Sequence, residues 1–386
     1  MLTRSRALFG LVAALGLVAC DRGADPTAPD GADLPLTTAS AGPGAAIASG
    51  AVLTASNAAA GNELWLYSVG SDGGLSFEGA FATGGLGTGA GLGNQGGMHL
   101  SANHRRLLVV NAGSNDVSAF DLRGAEPTRT DLEPSGGVRP VSVTQHGSLV
   151  YVLNAGSPEN VSGFRLDEDG RLTPIPGSTR ALSAPSVGAA QVSFSPDGRT
   201  LVVTEKATNR LVSFPVLPDG TLGSASVIDS PGQTPFGFAF DARGNLFVSE
   251  AFGGAAGAST LSSYRVVSAA TLEVVSAAVP TGETAACWVV VTPNSRFAYV
   301  TNAGTGTVSS YAISPSGAAQ LHASAAALTG AGPIDMALNR GGRYLYVLNS
   351  GSHEITSHRV GPQGSLSTFP GGVAGLPAGA NGLVAF

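Results

Sequence analysis

One phrase is written over and over along this chain, and a chain that repeats itself at a fixed interval must fold as an array of like units. LLVVNAGSNDVSAFDL (107–122), LVYVLNAGSPENVSGFRL (149–166), LVVTEKATNRLVSFPV (201–216), FAYVTNAGTGTVSSYAI (297–313) and YLYVLNSGSHEITSHRV (344–360) are versions of it. LFVSEAFGGAAGASTLSSYRV (246–266) is the same phrase with a longer middle, and VLTASNAAAGNELWLYSV (52–69) is a divergent first copy. Taking Asn111, Asn154, Thr204, Ser249, Asn302 and Asn349 as markers, the copies recur between 43 and 53 residues apart.

Each copy is written in strands. A run such as Leu149-Val150-Tyr151-Val152 stops at an Asn-Ala-Gly-Ser turn and resumes with alternating residues, which reads as an antiparallel hairpin. Turns such as Pro196-Asp197-Gly198 and Pro218-Asp219-Gly220 supply two further hairpin signals. Four strands in roughly 40–50 residues make a propeller blade. Seven innermost strands are expected, beginning near Gly97, Pro140, Ala190, Pro235, Ala286, Pro333 and Ala380. The last has no partner after it, whereas residues 51–82 supply three strands with no innermost strand before them. The two remnants complete each other. The expected fold is therefore all-β, a seven-bladed propeller with four antiparallel strands per blade, closed by the C-terminal strand.

Composition agrees and removes some functions. Charged residues are 12% of the chain, about half the usual ~25%, which excludes salt-bridged helical and coiled-coil folds. The net charge is −6 and no basic block stands out, so nucleic acid is not an expected partner. Two cysteines, Cys20 and Cys287, cannot make a disulfide framework or a Cys-based zinc site. Residues 1–20 pair two early arginines with an apolar run over 7–18, too short to span a bilayer and typical of a secretory signal. Leu17-Val18-Ala19-Cys20 is similar to a bacterial lipobox, which predicts lipidation at Cys20 and a membrane-anchored, exported protein of the cell envelope. Residues 21–50, rich in Pro, Gly, Ala, Asp and Thr, are expected to be a flexible tether. The propeller then occupies 51–386.

SPDGRTLVV (195–203), TPNSRFAYVTNAGTGTVSSYAI (292–313) and the NAGS turns resemble the seven-bladed propeller lactonase family, which includes 6-phosphogluconolactonase-like and carboxymuconate cyclase-like proteins. The resemblance covers roughly 51–386. It implies a site on the channel face formed by the starts of the innermost strands and the turn after each second strand. Cyclase-like members place His, Glu and Arg there. The glutamate matches Glu205, but Val141 stands where His is common and Ala303 where Arg is expected. A sugar-phosphate lactone would lack its cation.

On that face the innermost strands offer His99, Val141, Gln191, Phe236, Trp288 and Asp335, and the turns offer Asn111, Asn154, Asn302 and Asn349. Most copies carry Ala or Ser after the marker, so Glu205 and Glu250 stand out. Two carboxylates in adjacent blades could share a channel mouth, push one another's pKa apart and supply a general base, with His99 near a developing oxyanion. An ion pair with Lys206 is the structural alternative for Glu205. Gln191, Phe236, Trp288, Asp335 and the four asparagines would line the substrate. His104, His146, His322, His353 and His358 are expected at the solvated surface, and Cys287 as a small buried group. No cofactor or metal is expected. Two functions follow: a lactonase-like or cyclase-like hydrolase acting on a neutral lactone outside the cytoplasm, or a non-catalytic propeller binding a protein or cell-envelope ligand.

Overall fold

The structure, a computed structural model, describes residue 47 and residues 50–268 and 270–386. The segment expected as a signal, the expected lipidation position Cys20 and nearly all of the expected tether lie outside the described residues. Seven sheets are present, six of four strands and one whose outer strand is split into Leu172–Pro174 and Arg180–Ala181. The innermost strands are Met98–Leu100, Pro140–His146, Ala189–Phe194, Pro235–Phe240, Ala286–Val291, Pro333–Leu338 and Asn381–Ala385. The last pairs with Ala51–Ala55, so the two ends of the chain build one sheet, as the sequence predicts. That sheet is blade 1, and blades 2 to 7 follow in chain order.

Alternation decides what each blade buries. The second strands carry fully buried runs such as Leu107-Leu108-Val109 and Leu201-Val202-Val203, which pack on both neighbouring sheets. Five tyrosines are fully buried between blades. Three of them reach the same kind of partner: Tyr151 donates to the Gly220 carbonyl at 2.7 Å, Tyr299 to Gly364 at 3.0 Å and Tyr346 to Gly73 at 2.9 Å. In each case the acceptor is the outer turn of the next blade, so the hydroxyl latches consecutive sheets while its ring fills the gap.

The start of the innermost strand is built alike in several blades. A left-handed residue precedes it at Arg139, Gly188, Thr234, Ala285 and Gly332, with φ between 55° and 64°. A register shift follows immediately, as between Pro140 and Ser142 or Ala189 and Gln191. Such a bulge re-aims the strand's first side chains along the channel.

Candidate functional site: a closed channel mouth

Pairing across each blade fixes which residues correspond. Asn154 lies opposite Pro140, Glu205 opposite Ala189, Glu250 opposite Pro235, Asn302 opposite Ala286 and Asn349 opposite Pro333. The glutamates therefore occupy the asparagine position itself, not the one after it. Thr204 and Ser249 were the wrong markers by one residue, and a slip of one turns a strand side chain to the other face. This corrects the expectation that Glu205 and Glu250 share the channel mouth.

Both carboxylates are fully buried, each inside its own blade. Glu205 accepts the Ser183 backbone N–H at 2.9 Å, the Ser183 hydroxyl, and the Thr208 hydroxyl at 2.7 Å. Glu250 accepts the Ser230 hydroxyl at 2.8 Å, the Gly232 N–H at 2.9 Å, the Ser262 hydroxyl at 2.6 Å and the Thr260 hydroxyl. Glu250 ties the segment that enters its blade to the third strand, and Glu205 ties its entering segment to the turn that follows it. Neither bonds the other, and hydroxyl and amide donors hold both.

Asn111, Asn154, Asn302 and Asn349 do the same work and are fully buried, so they line no rim. Asn111 accepts from Asn62 at 2.9 Å and Thr83 at 2.8 Å, and donates to Asp116 and Ser118. Asn154 donates to Asn160 and to the Ser135 carbonyl, Asn302 to Thr307 and Ser309, and Asn349 to Thr356. The glutamates hold their loops as acceptors and Asn154, Asn302 and Asn349 hold theirs as donors, the three amide oxygens being buried without a hydrogen-bond partner among the described residues.

The position after the brace holds Ala112, Ala155, Lys206, Ala251, Ala303 and Ser350. Lys206, the chain's single lysine, is thus the charged departure that faces the mouth. Its ammonium lies 4.8 Å from the Phe236 ring centroid and donates to the Gly93 carbonyl. Phe236 in turn packs on Trp288, ring centroids 6.1 Å apart. Gln191 reaches across to the next innermost strand, donating to Phe238 O at 2.9 Å and accepting Phe238 N–H at 2.5 Å. Asp335 accepts from the backbone of Met336 and of Leu383 in the next blade, and burial raises its pKa well above the usual carboxylate range. His99 stands farther down the channel wall than expected, opposite Leu108 and level with Thr144, and joins neither glutamate. Burial lowers its pKa to about 4, and a bond to the Gln145 backbone opposes that weakly. His358, expected at the surface, is fully buried, with its two ring nitrogens bonded to Thr356 and Thr368 at 3.1 and 2.9 Å.

What covers this face is the chain's own link between blades 1 and 2, GGLGTGAGLGNQGG at 84–97. Gln95 sits at its centre. Its backbone N–H bonds Ala190 O at 3.1 Å, and its side chain donates to Val289 O at 3.1 Å while accepting Val289 N–H at 3.2 Å. Blades 4 and 6 are thereby joined across the mouth. Asn94 donates to Val141 O, and its amide carbonyl accepts from Asn381 at 2.9 Å. Gly96 O accepts Val143 N–H at 2.8 Å, and Leu92 packs into the apolar core shared by blades 2 to 4. Glycine is required where backbones touch: a Cβ on Gly87 would strike the Asn57 backbone, and one on Gly237 would take the space of Gln95 Oε1. The crevice left between Leu92, Asn94, Trp288, Ile334, Ser350 and Asn381 is about 10 Å³, room for one water. No motif in the sequence marks this segment as a cover, and its one visible signal is a glycine-rich link of unusual length before the short strand Met98–Leu100. Among the described residues, no group of three or more His, Cys, Asp or Glu side chains could hold a metal ion.

A seven-bladed propeller with a channel face closed by its own interblade segment is the class that fold and site define. The sequence profile described as Lactonase, 7-bladed beta-propeller, matches residues 95–251 and 258–374, and the chain belongs to that family. A comparison with curated proteins finds no match. Among solved structures the chain is similar to a protein from Lactobacillus plantarum, at 18% identity and TM-score 0.70, covering 87% of this chain and 99% of that one. It is also similar to the Pseudomonas aeruginosa periplasmic gluconolactonase, at 19% identity and TM-score 0.67, covering 86% of this chain and 99% of that one. At these identities the likeness is one of fold.

Proposed function

We propose that this chain is a binding member of the lactonase family, exported and held at the cell envelope through Cys20, rather than a hydrolase working through Glu205 and Glu250. The observation that carries this reading is Gln95 bridging Ala190 and Val289 over the channel, which leaves no space for a lactone beside Trp288. The burial of both glutamates by neutral donors and the absence of His and Arg at Val141 and Ala303 support it as well. A hydrolysis panel of neutral lactones on the full chain tests it. The expected rate is that of buffer alone. Turnover that Glu205→Gln abolishes in a folded protein would overturn it.

A second reading, hydrolysis of a neutral lactone, draws on the groups beneath the segment. Phe236 and Trp288 form an aromatic floor, Lys206 supplies a cation for a developing oxyanion, and Asp335 is a buried carboxyl whose pKa burial raises. Displacing residues 92–97 would admit water to Asp335 and let it ionise into a base. On this reading Lys206→Met and Asp335→Asn abolish turnover while Glu205→Gln spares it, so the same panel separates the two accounts.

A further inference from the structure

Turns at the far ends of the innermost strands frame a second space. Beneath blade 1 a cavity of about 690 Å³ is framed by turns of three successive blades, a volume suited to a small organic ligand. Blade 7 contributes Arg340 from the turn after Pro333–Leu338. Blade 2 contributes His104 and Arg105 from the turn before Arg106–Asn111, and Leu122 and Arg123 from the turn after Asp116–Asp121. Blade 1 contributes Phe386, whose ring packs on His104 with centroids 5.3 Å apart.

The charge of this lining departs from the rest of the chain. The sequence carries −6 overall, yet three guanidiniums line this cavity; among the described residues no Asp or Glu side chain lines it, and the anions beside it are Asp121, paired with Arg123, and the terminal carboxylate of Phe386. Arg123 is held by Asp121. Arg105 and Arg340 form no ion pair among the described residues, and both are exposed to the cavity's water. Arg105 and Arg340 outnumber the one terminal carboxylate left beside them, and a guanidinium without an ion pair of its own can take an anion with bidentate bonds. His104 reports the same field: burial first and then the charge of Arg340 lower its pKa. Leu122 and Phe386 add an apolar wall beside the cations.

We propose that this cavity is a binding site for an organic anion, a phosphate or carboxylate head between Arg105 and Arg340 with an apolar body against Phe386 and Leu122. It lies at the opposite end of the innermost strands from the mouth closed by Gln95, so it stands whether or not the mouth is catalytic. The same head chemistry could be offered by a free metabolite or by a lipid headgroup, and the test separates them.

Octyl phosphate is the probe, titrated calorimetrically into the full chain carrying Cys20→Ser, which cannot be acylated. One-to-one binding is expected, together with a shift of the His104 ring resonances and at least tenfold weakening in Arg105→Gln/Arg340→Gln. Octyl glucoside, the neutral counterpart, is expected to give no heat. Inorganic phosphate is expected to bind more weakly than octyl phosphate, because it leaves the apolar wall empty. Sedimentation with phosphatidylglycerol vesicles is the second arm. Arginine-dependent binding in both arms assigns a lipid headgroup, and in the first alone a free anion. No saturable binding of octyl phosphate, or binding that the double variant retains with unmoved His104 signals, overturns the proposal.

Discussion

Replacing Glu250 by alanine tests whether the carboxylate is a brace or a reagent. Its two oxygens take four donors, three hydroxyls and the Gly232 N–H, in a site with no exposed surface. Hydrogen bonds to a charged acceptor are worth ~1.5–3 kcal/mol each, and a buried N–H left without a partner costs ~1–3 kcal/mol. The hydroxyls of Ser230, Thr260 and Ser262 can rotate to one another or to an entering water, so the losses do not add. About 3–5 kcal/mol is the net expected destabilisation. With an unfolding entropy of ~2.1 cal/mol/K per residue over the roughly 330 residues of the propeller, that is a Tm lowered by about 4–7 °C in differential scanning calorimetry. Glu250→Gln keeps one acceptor oxygen and is expected to lose about half as much. Glu126→Ala, at an exposed position, is the control and is expected within about 1 °C of the parent. A Glu250→Ala protein that melts with the control would show that the carboxylate is not enclosed, and the brace argument for Glu205 would fall with it.

Deleting residues 381–386 removes the strand that pairs with Ala51–Ala55, and the expected result is an open ring with a markedly lower melting temperature; an unchanged one refutes the closure. Gln95→Ala cuts the bridge between blades 4 and 6, so limited proteolysis is expected to nick residues 84–97 several-fold faster without a change in blade stability. His358 titrates near 4 in the folded state because burial disfavours its cation, against 6.5 in a free chain. The unfolded chain therefore takes up its proton first, and stability is full above pH 6.5 and lost as the pH falls from 6.5 towards 4. The loss approaches ~3 kcal/mol from this one group, and chemical denaturation at pH 7 and pH 4.5 is expected to show a smaller difference in His358→Gln than in the parent. Equal differences would refute it.

The repeat determined the fold by itself. Alternation of apolar and polar residues with turn signals at regular intervals leaves a chain one way to bury seven equal sheets, and three strands without an innermost one at 51–82 with a single innermost strand near residue 380 leave one way to close them. Asn302 and Phe297–Asn302 lie where the phrase puts them because local pairing and turn chemistry agree there. The site was not legible in the same way. Reading Glu205 and Glu250 as residues after the marker rather than as the marker shifted them by one, and in a strand that exchanges the channel face for the blade interior. Only cross-strand pairing, Glu205 with Ala189 and Glu250 with Pro235, fixes that register, and it depends on bulges that no single segment announces. Gln95 is the extreme case: its partners Ala190 and Val289 are far away in sequence and belong to two other blades, so nothing local to a glycine-rich link says that it crosses the channel. Arg105, Arg340 and Phe386 meet for the same reason, because ring closure sets blades 7, 1 and 2 side by side. Periodicity is a property of neighbours along the chain, and sequence carries it. Which side chains face a shared space is a property of the closed ring, and tertiary structure alone decides it.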